Sequence, residues 1–492
     1  MRIKKISDFG TLFLKNITIR QTIFKNVFWL HLGKGISSFL IFVLLIYTAR
    51  ILGATEYGKF TFALAFVALF GIFQDFGLPY TVTREFSREK EREREFYSVL
   101  SLKIVLSSLA LILIIISSFF ITPDPVIQKI ILILALFGLI SGFTAIFYAF
   151  FQARQRMEYQ AWTTILESAL ITAIGLFVLF NFPSVENLSY SYLFASLAAL
   201  IFVSLFFHFR VFPLRIRWQK IIWQRFLKMS WPLALTGLFV VIYTYTDSVM
   251  MGFWNQITEV GWYGAAYKII NVVLIPVGLI SASFYPVLGK FFKESKEKLQ
   301  DALNSQIKIM ILLAFPLMVG GITLAPKIIN FIYGLNFSPS ILALQILIIM
   351  AGIVFLSNPF YFLLIASNQQ KKIFYITGSS AIINIILNLL LIPRFTLYGA
   401  ATATLISCFI MFILVLFSVK YFTPVSLFNF QLTKTLIFAV LATGLMYFLI
   451  KQPFVYNLNI ILTIISGTLI YFLTFFIFQK IAKKTGFLKL SI

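Results

Sequence analysis

The strongest constraint on this chain is a pair of apolar runs that occurs twice. Residues 27–84 hold two runs joined by the short turn LGATEYGKF at 52–60. Each run exceeds the about 18 residues that mark a membrane span. Residues 229–288 repeat the plan around the turn WNQITEVGWY at 254–263. Thr55, Glu56 and Gly58 align with Thr258, Glu259 and Gly261 at a constant offset of 203. A repeat in the same orientation, with an even number of spans between the copies, predicts two similar halves related by an axis along the membrane normal.

Composition agrees with a membrane protein. Hydrophobic residues make up 60% of the chain and charged residues 12%, with a mean hydropathy of +0.94. A soluble domain carries about 25% charged residues. The single cysteine, Cys408, excludes an intramolecular disulfide, and His31 and His208 are too few for a histidine-built metal site.

The net charge of +24 is informative through its distribution. The apolar runs between residues 27 and 479 read as about fourteen spans, among them a second run at 60–83, a third at 99–121 and an overlong eighth at 260–288. Pro276 and Pro286 predict a bend in the eighth. With a cytoplasmic N-terminus, the loops 84–98, 152–160, 210–228, 289–303, 367–372 and 420–432 are cytoplasmic, as is the C-terminus. Of the 41 Lys and Arg residues, 33 then fall on the cytoplasmic side and 6 outside, with Lys34 and Lys268 well within spans. This is the bias that orients membrane proteins. All seven Trp residues lie near span ends, where amphipathic rings prefer to sit.

The expected organisation is all-α and polytopic: two pseudo-symmetric six-helix lobes and two C-terminal helices. Residues 1–26 read as a basic amphipathic surface segment, 27–209 as an N-lobe, 210–228 as a basic interfacial linker, 229–419 as a C-lobe and 420–492 as helices 13–14 with a basic tail. The loop REFSREKEREREFYS at 84–98 reads as a solvated helical extension with local ion pairs. The linker HFRVFPLRIRWQKIIWQRFLK at 208–228 interleaves cations with Trp and Ile, which suits anionic lipid headgroups. In a membrane context it does not point to nucleic acid.

No exterior loop exceeds about fifteen residues, and no phosphate-binding loop, metal cluster or nucleophile triad is present in the sequence. No enzyme, cofactor or metal is expected. Functional signal therefore lies with ionisable groups inside spans, which are costly there and face a partner or a cavity. Lys34 and Asp75 are placed symmetrically about the first turn, and Asp247 and Lys268 about the second. At 1.5 Å per residue each pair shares one depth. Two readings follow: ion pairs that orient helices, or a cavity-facing basic site for an anionic substrate, with the carboxylates as holding partners or proton acceptors. Thr236, Tyr243 and Asp247 share a helix face, as do Gly264, Lys268 and Asn271, and as do Ser380, Asn384 and Asn388. Such stripes line a polar path or hydrogen-bond between helices. Glu167 reads either as a proton site or as a group near the headgroups beside Trp162.

These residues carry a family resemblance. ARILGATEYGKF at 49–60, DFGLPYTVTRE at 75–85, FQARQRMEYQ at 151–160, TDSVMMG at 246–252, EVGWYGAAYKI at 259–269 and the stretch from ASNQQKK to YGAATATLIS at 366–407 resemble, in order and spacing, a polysaccharide-biosynthesis flippase of the multidrug/oligosaccharidyl-lipid/polysaccharide exporter superfamily. The resemblance implies two six-helix lobes around a central cavity opened alternately to each face. It implies an undecaprenyl-diphosphate-linked oligosaccharide as substrate, moved from the inner to the outer leaflet of the cytoplasmic membrane. Lys34 and Lys268 fit the basic positions that bind the anionic headgroup, with Tyr243 and Asn271 beside them. Membrane lipids and other polysaccharide-assembly proteins are the implied partners. A multidrug/cation antiporter of the same superfamily is the competing expectation. A glycan polymerase, which calls for a large exterior loop, and a non-transporting scaffold are less favoured.

Overall fold

The structure, a computed structural model, describes residues 13–427 and 430–484, and among them every regular element is helical. In lipid this is expected, because a helix satisfies its own backbone polar groups where no water can do so. The chain divides into two compact units, Met1–Gly261 and Trp262–Ile492.

The first unit opens with α1 (Ile19–Asp75) and α2 (Leu78–Arg88), followed by a 3-10 turn at Lys90–Glu95. Then come α3 (Phe96–Ile121), α4 (Pro125–Ala153), α5 (Met157–Asn181), α6 (Val185–Arg210) and α7 (Lys220–Phe253). The helix α8 (Ile257–Val273) runs from the first unit into the second. The second unit continues with α9 (Ile275–Glu294), α10 (Lys296–Ile332), α11 (Ser340–Ala366), α12 (Gln370–Phe422), α13 (Phe430–Ile450), the single turn α14 (Pro453–Tyr456) and α15 (Ile460–Lys484).

Twelve stretches among the described residues are long and apolar enough to cross a membrane. Two of them hold two crossings each. At 57 residues, α1 as one rod would be about 85 Å long, far beyond the about 30 Å of hydrocarbon. It breaks at Gly53, whose φ of 78° lies in the left-handed region that glycine enters without strain. The helix α12 breaks at Thr396 (φ 50°). There the chain folds back tightly: a Cβ on Gly399 would stand 2.4 Å from the Leu391 carbonyl oxygen. With both hairpins resolved, the described helices accommodate about fourteen spans, as expected.

The eighth run breaks beside Pro276 but not at Pro286, which lies within continuous helix. Helix α8 ends at Val273, and α9 restarts with Pro276 in its first turn, where the missing N–H has no intrahelical acceptor to lose. At the other end of the chain, the residues before Phe13 lie outside the described part of the expected surface segment. From Ile19 onward that segment is already helix α1, and Lys25 is fully buried within it. Trp29 Nε1 donates to the Phe13 carbonyl at 2.7 Å, which holds the incoming chain against the first leg of α1.

Aromatic packing dominates the basic end of the first unit. Phe96 stacks on Phe207 with ring centroids 5.0 Å apart, and Phe86, Phe147 and Phe150 meet the same group edge-on. The core of the second unit gathers aliphatic side chains from α10, α11 and α12 with Ala439, Met446, Tyr471 and Phe475 of the last helices. The Lys327 ammonium donates to the carbonyls of Tyr456 and Leu458 (the latter at 3.1 Å), tying the short link before α15 to α10.

Candidate functional site

Two intramembrane charges of the first unit, Lys103 and Asp75, meet at the end of α1, at a break that the apolar run at 60–83 does not reveal. Phe76 (φ 44°) and Gly77 (φ 72°) both adopt left-handed backbone, so α1 stops at Asp75 and the chain resumes as α2 with Pro79 in its first turn. The Gly and Pro of DFGLP are the local signal for this break. It leaves the C-terminal end of a helix inside the span.

Lys103 of α3 reaches this end. Its ammonium donates to the Gln74 carbonyl at 3.0 Å and pairs with the Asp75 carboxylate. The Lys103 side chain is completely buried, whereas that of Asp75 is 41% exposed. Gln74 in turn donates through Nε2 to the carbonyls of Gly138 (2.8 Å) and Leu139 (3.1 Å) on α4. Gly142 makes room for the cluster: a Cβ there would stand 2.2 Å from Gln74 Nε2 and 2.8 Å from Lys103 Nζ. Beside it on α4, Ser141 Oγ donates to Glu167 Oε1 of α5 at 3.3 Å. Glu167 is half-buried.

This arrangement corrects the pairing expected from depth. Asp75 is held by Lys103, not by Lys34, which is exposed on the first leg of α1. On α7, Asp247 is buried and Tyr243, one turn away, is half-buried. In the second unit, α8 carries Lys268 half-buried and Asn271 exposed. The third predicted stripe is interior. Ser380, Asn384 and Asn388 are fully buried on the first leg of α12. Asn388 Nδ2 donates to Asn384 Oδ1 at 3.0 Å, and Asn384 Nδ2 to Ser407 Oγ on the second leg at 3.3 Å. Asn384 thus bonds one leg to the other, and Asn388 supports it from the next turn. Among the described residues no three His, Cys, Asp or Glu side chains come together as a metal site.

The repeated turns meet within the first unit. The hydroxyls of Thr55 and Thr258 lie 2.9 Å apart. A Cβ on Gly58 would fall 1.9 Å from the Ile257 carbonyl oxygen, and one on Gly261 would fall 2.0 Å from that of Ala54. The offset of 203 that separates Thr55 from Thr258 also interchanges the two glycine contacts, taking Gly58 to Gly261 and Ala54 to Ile257, so the seam is itself two-fold. Glycine permits backbones to approach this closely, as small residues do wherever membrane helices cross. Next to the seam, Glu56 pairs with Lys59 at 2.7 Å.

At the basic end, sequence reasoning missed a buried ion pair and the long-range partners of a charged loop. Lys25 and Glu158 lie 2.8 Å apart with side chains 0% and 3% exposed, and Arg156 adds a second contact to Glu158 at 3.2 Å. In the loop 84–98, Glu89 pairs locally with Arg92, but Glu93 pairs with Arg154 and Glu95 with Arg225 on other segments. The linker is pinned to the start of α3: Tyr97 OH donates to the Pro213 carbonyl (2.8 Å), Ser101 Oγ to that of Arg217 (2.6 Å) and Trp223 Nε1 to that of Ser98 (3.0 Å). Arg210, Arg215 and Lys220 stay exposed around it.

Comparison with known proteins places this architecture. The solved structure of "Lipid II flippase MurJ, inward closed conformation" matches with a TM-score of 0.75 at 19% identity, covering 93% of this chain and 99% of that one. An inward-facing multidrug resistance MATE family transporter of the MOP superfamily matches with a TM-score of 0.61 at 14% identity, over 80% of this chain and 95% of its own. The fold is therefore that of these transporters. Among curated proteins, the "Probable flippase AglR" of Haloferax volcanii is 28% identical over 239 residues, 46% of this chain and 49% of its own length. The "Probable low-salt glycan biosynthesis flippase" of the same organism is 25% identical over 169 residues, 34% of this chain and 35% of its own length. This chain thus spans about half and about a third of those two relatives. An uncharacterized membrane protein of Methanocaldococcus jannaschii is 23% identical over 432 residues, 81% of this chain and 84% of its own length. Residues 232–390 match the MatE family. Residues 23–292, more than half of the chain, match the family described as polysaccharide biosynthesis protein, and the chain belongs to that family.

Proposed function

We propose that this chain is a flippase that carries a lipid-linked oligosaccharide, with undecaprenyl diphosphate as the carrier, from the inner to the outer leaflet of the cytoplasmic membrane. The observation that carries the reading is the MurJ fold over nearly the whole length of a chain from the polysaccharide biosynthesis family. The physics agrees with it. A glycan headgroup cannot cross about 30 Å of hydrocarbon unaided, and a polar path inside the protein would shield it while the tail stays in lipid. No covalent step is required, so the protein is not an enzyme.

In this reading the six-helix lobes 27–209 and 229–419 rock against each other in alternating access. Lys34 and Lys268 attract the diphosphate, and Tyr243 and Asn271 offer polar contacts to the headgroup. The exposure of Lys34 and its separation from Asp75 support this role. Asp247 acts as an ion-pair or proton-coupling group. Glu167, with a serine hydroxyl against it, serves as a proton carrier. Asp75 is an ion-pair group, balanced by Lys103. The termini are cytoplasmic, the exposed cations of the pinned linker meet anionic headgroups, and other polysaccharide-assembly proteins supply or consume the cargo. The match of residues 232–390 to MatE favours a second reading, a multidrug/cation antiporter.

Translocation in proteoliposomes tests both. A fluorescent polyprenyl-diphosphate oligosaccharide is followed by its protection from an external quencher, with wild type beside Lys34→Ala and Lys268→Ala. Protein-dependent movement is expected, reduced at least tenfold in a folded lysine variant, which corresponds to about 1.4 kcal/mol of lost interaction. Movement unaffected by either variant would return the lysines to a structural role. No movement, with proton-coupled efflux of an organic cation instead, would overturn the flippase reading.

A further inference from the structure

The broken end of α1 has the makings of a cation site, and the chain fills it from within. A helix C-terminus presents carbonyls that lack intrahelical partners and carries partial negative charge. When such an end lies inside a membrane transporter, it can coordinate Na⁺ or a proton. Here the end carries the Gln74 carbonyl together with the Asp75 carboxylate, and both are taken by the Lys103 ammonium. Lys103 comes from a different helix and is fully buried in an apolar stretch, Arg92–Ile121. Two further groups shape the space around it. Gln74 is anchored by two carbonyls of α4, and the missing side chain of Gly142 leaves room for the ammonium.

We propose that this junction is a monovalent-cation site whose resident cation is the tethered Lys103 ammonium, and that it accepts a small free cation, Na⁺ or a primary alkylammonium, once that ammonium is removed. A merely structural ion pair would hold two helices together without forming a size-selective cavity. A cation site retains its acceptors, Gln74 O and the Asp75 carboxylate, when its tethered occupant is deleted. The wild-type chain then needs no cation from solution at Asp75, and any coupling ion acts elsewhere. This inference stands apart from the proposed cargo.

Thermal unfolding of the purified full-length protein tests it. Wild type, Lys103→Ala and Lys103→Ala/Asp75→Asn are titrated with NaCl, methylammonium chloride and tetramethylammonium chloride at constant ionic strength. The expected result is a lowered melting temperature for Lys103→Ala that recovers by at least half with Na⁺ or methylammonium but not with the bulky tetramethylammonium. Wild type and the double variant should show no selective response. An unresponsive Lys103→Ala would overturn the proposal, as would a response that persists without Asp75. If the alanine variant does not fold, Lys103→Gln serves in its place, since its amide can still donate to Gln74 O but carries no charge. A glutamine variant as stable as wild type and indifferent to cations would equally overturn it.

Discussion

At the scale of single residues, buried polar groups define the local order of the first unit. Lys25 and Glu158 form an ion pair almost without exposure. Removing one partner of such a pair strands a charge and typically costs about 3–5 kcal/mol, whereas replacing both with apolar groups is often tolerated. Glu158→Gln should therefore lower the unfolding midpoint more than the double change Lys25→Met/Glu158→Leu, measured by thermal unfolding in detergent. Gly142→Ala should destabilise by about 1–3 kcal/mol, because the new methyl pushes the Gln74 amide off the carbonyls of Gly138 and Leu139. Lys34, Asp75, Asp247 and Lys268 were legible as intramembrane charges, but Lys103 was counted with the cytoplasmic cations, so the partner of Asp75 was missed. Counting from a turn yields depth in the membrane. It does not specify the azimuth around the helix, and Lys103 wins Asp75 over Lys34 by azimuth. The Asn384–Asn388 bond was more accessible, since spacing of four along one helix fixes both height and face.

At the scale of elements, the breaks matter more than the helices. Gly53, Phe76–Gly77, Leu274 and Thr396 divide long apolar stretches into crossings and half-helices. Pro276, the first turn and the gap between the apolar runs at 373–392 and 398–419 announced three of these in sequence. The break after Asp75 was hidden, because the apolar run continues through it. The glycine seam between the repeated turns makes a direct prediction. Thr55→Cys/Thr258→Cys should cross-link under a mild oxidant, since the native hydroxyls are 2.9 Å apart. Adding Gly58→Val should reduce the yield, because a side chain there meets the Ile257 carbonyl. Cross-linking should also stop translocation, and a reductant should restore it. Full transport through the locked seam would mean that these turns do not part during the cycle.

For the whole molecule, charge asymmetry predicts sidedness. The only native cysteine, Cys408, is buried, so single introduced cysteines can be followed against a quiet background. An impermeant maleimide should label Ser87→Cys and Gln219→Cys only after the membrane is opened. It should label Ser184→Cys and Asn457→Cys from outside in intact cells. Labelling of both sets from one side would overturn the topology. Much of this level was determined by the sequence itself: the membrane class, about fourteen crossings, the repeat and its constant offset. Apolar run length and charge bias act locally and along the chain, so they survive in one dimension. Only the tertiary structure decided that the repeated turns touch through Gly58 and Gly261, that Glu93 and Glu95 of the loop 84–98 pair with distant arginines, and that Lys103 rather than Lys34 neutralises Asp75. Those outcomes depend on how each helix is rotated about its axis and which neighbours it meets, and in a chain apolar on nearly every face, periodicity carries little record of that rotation.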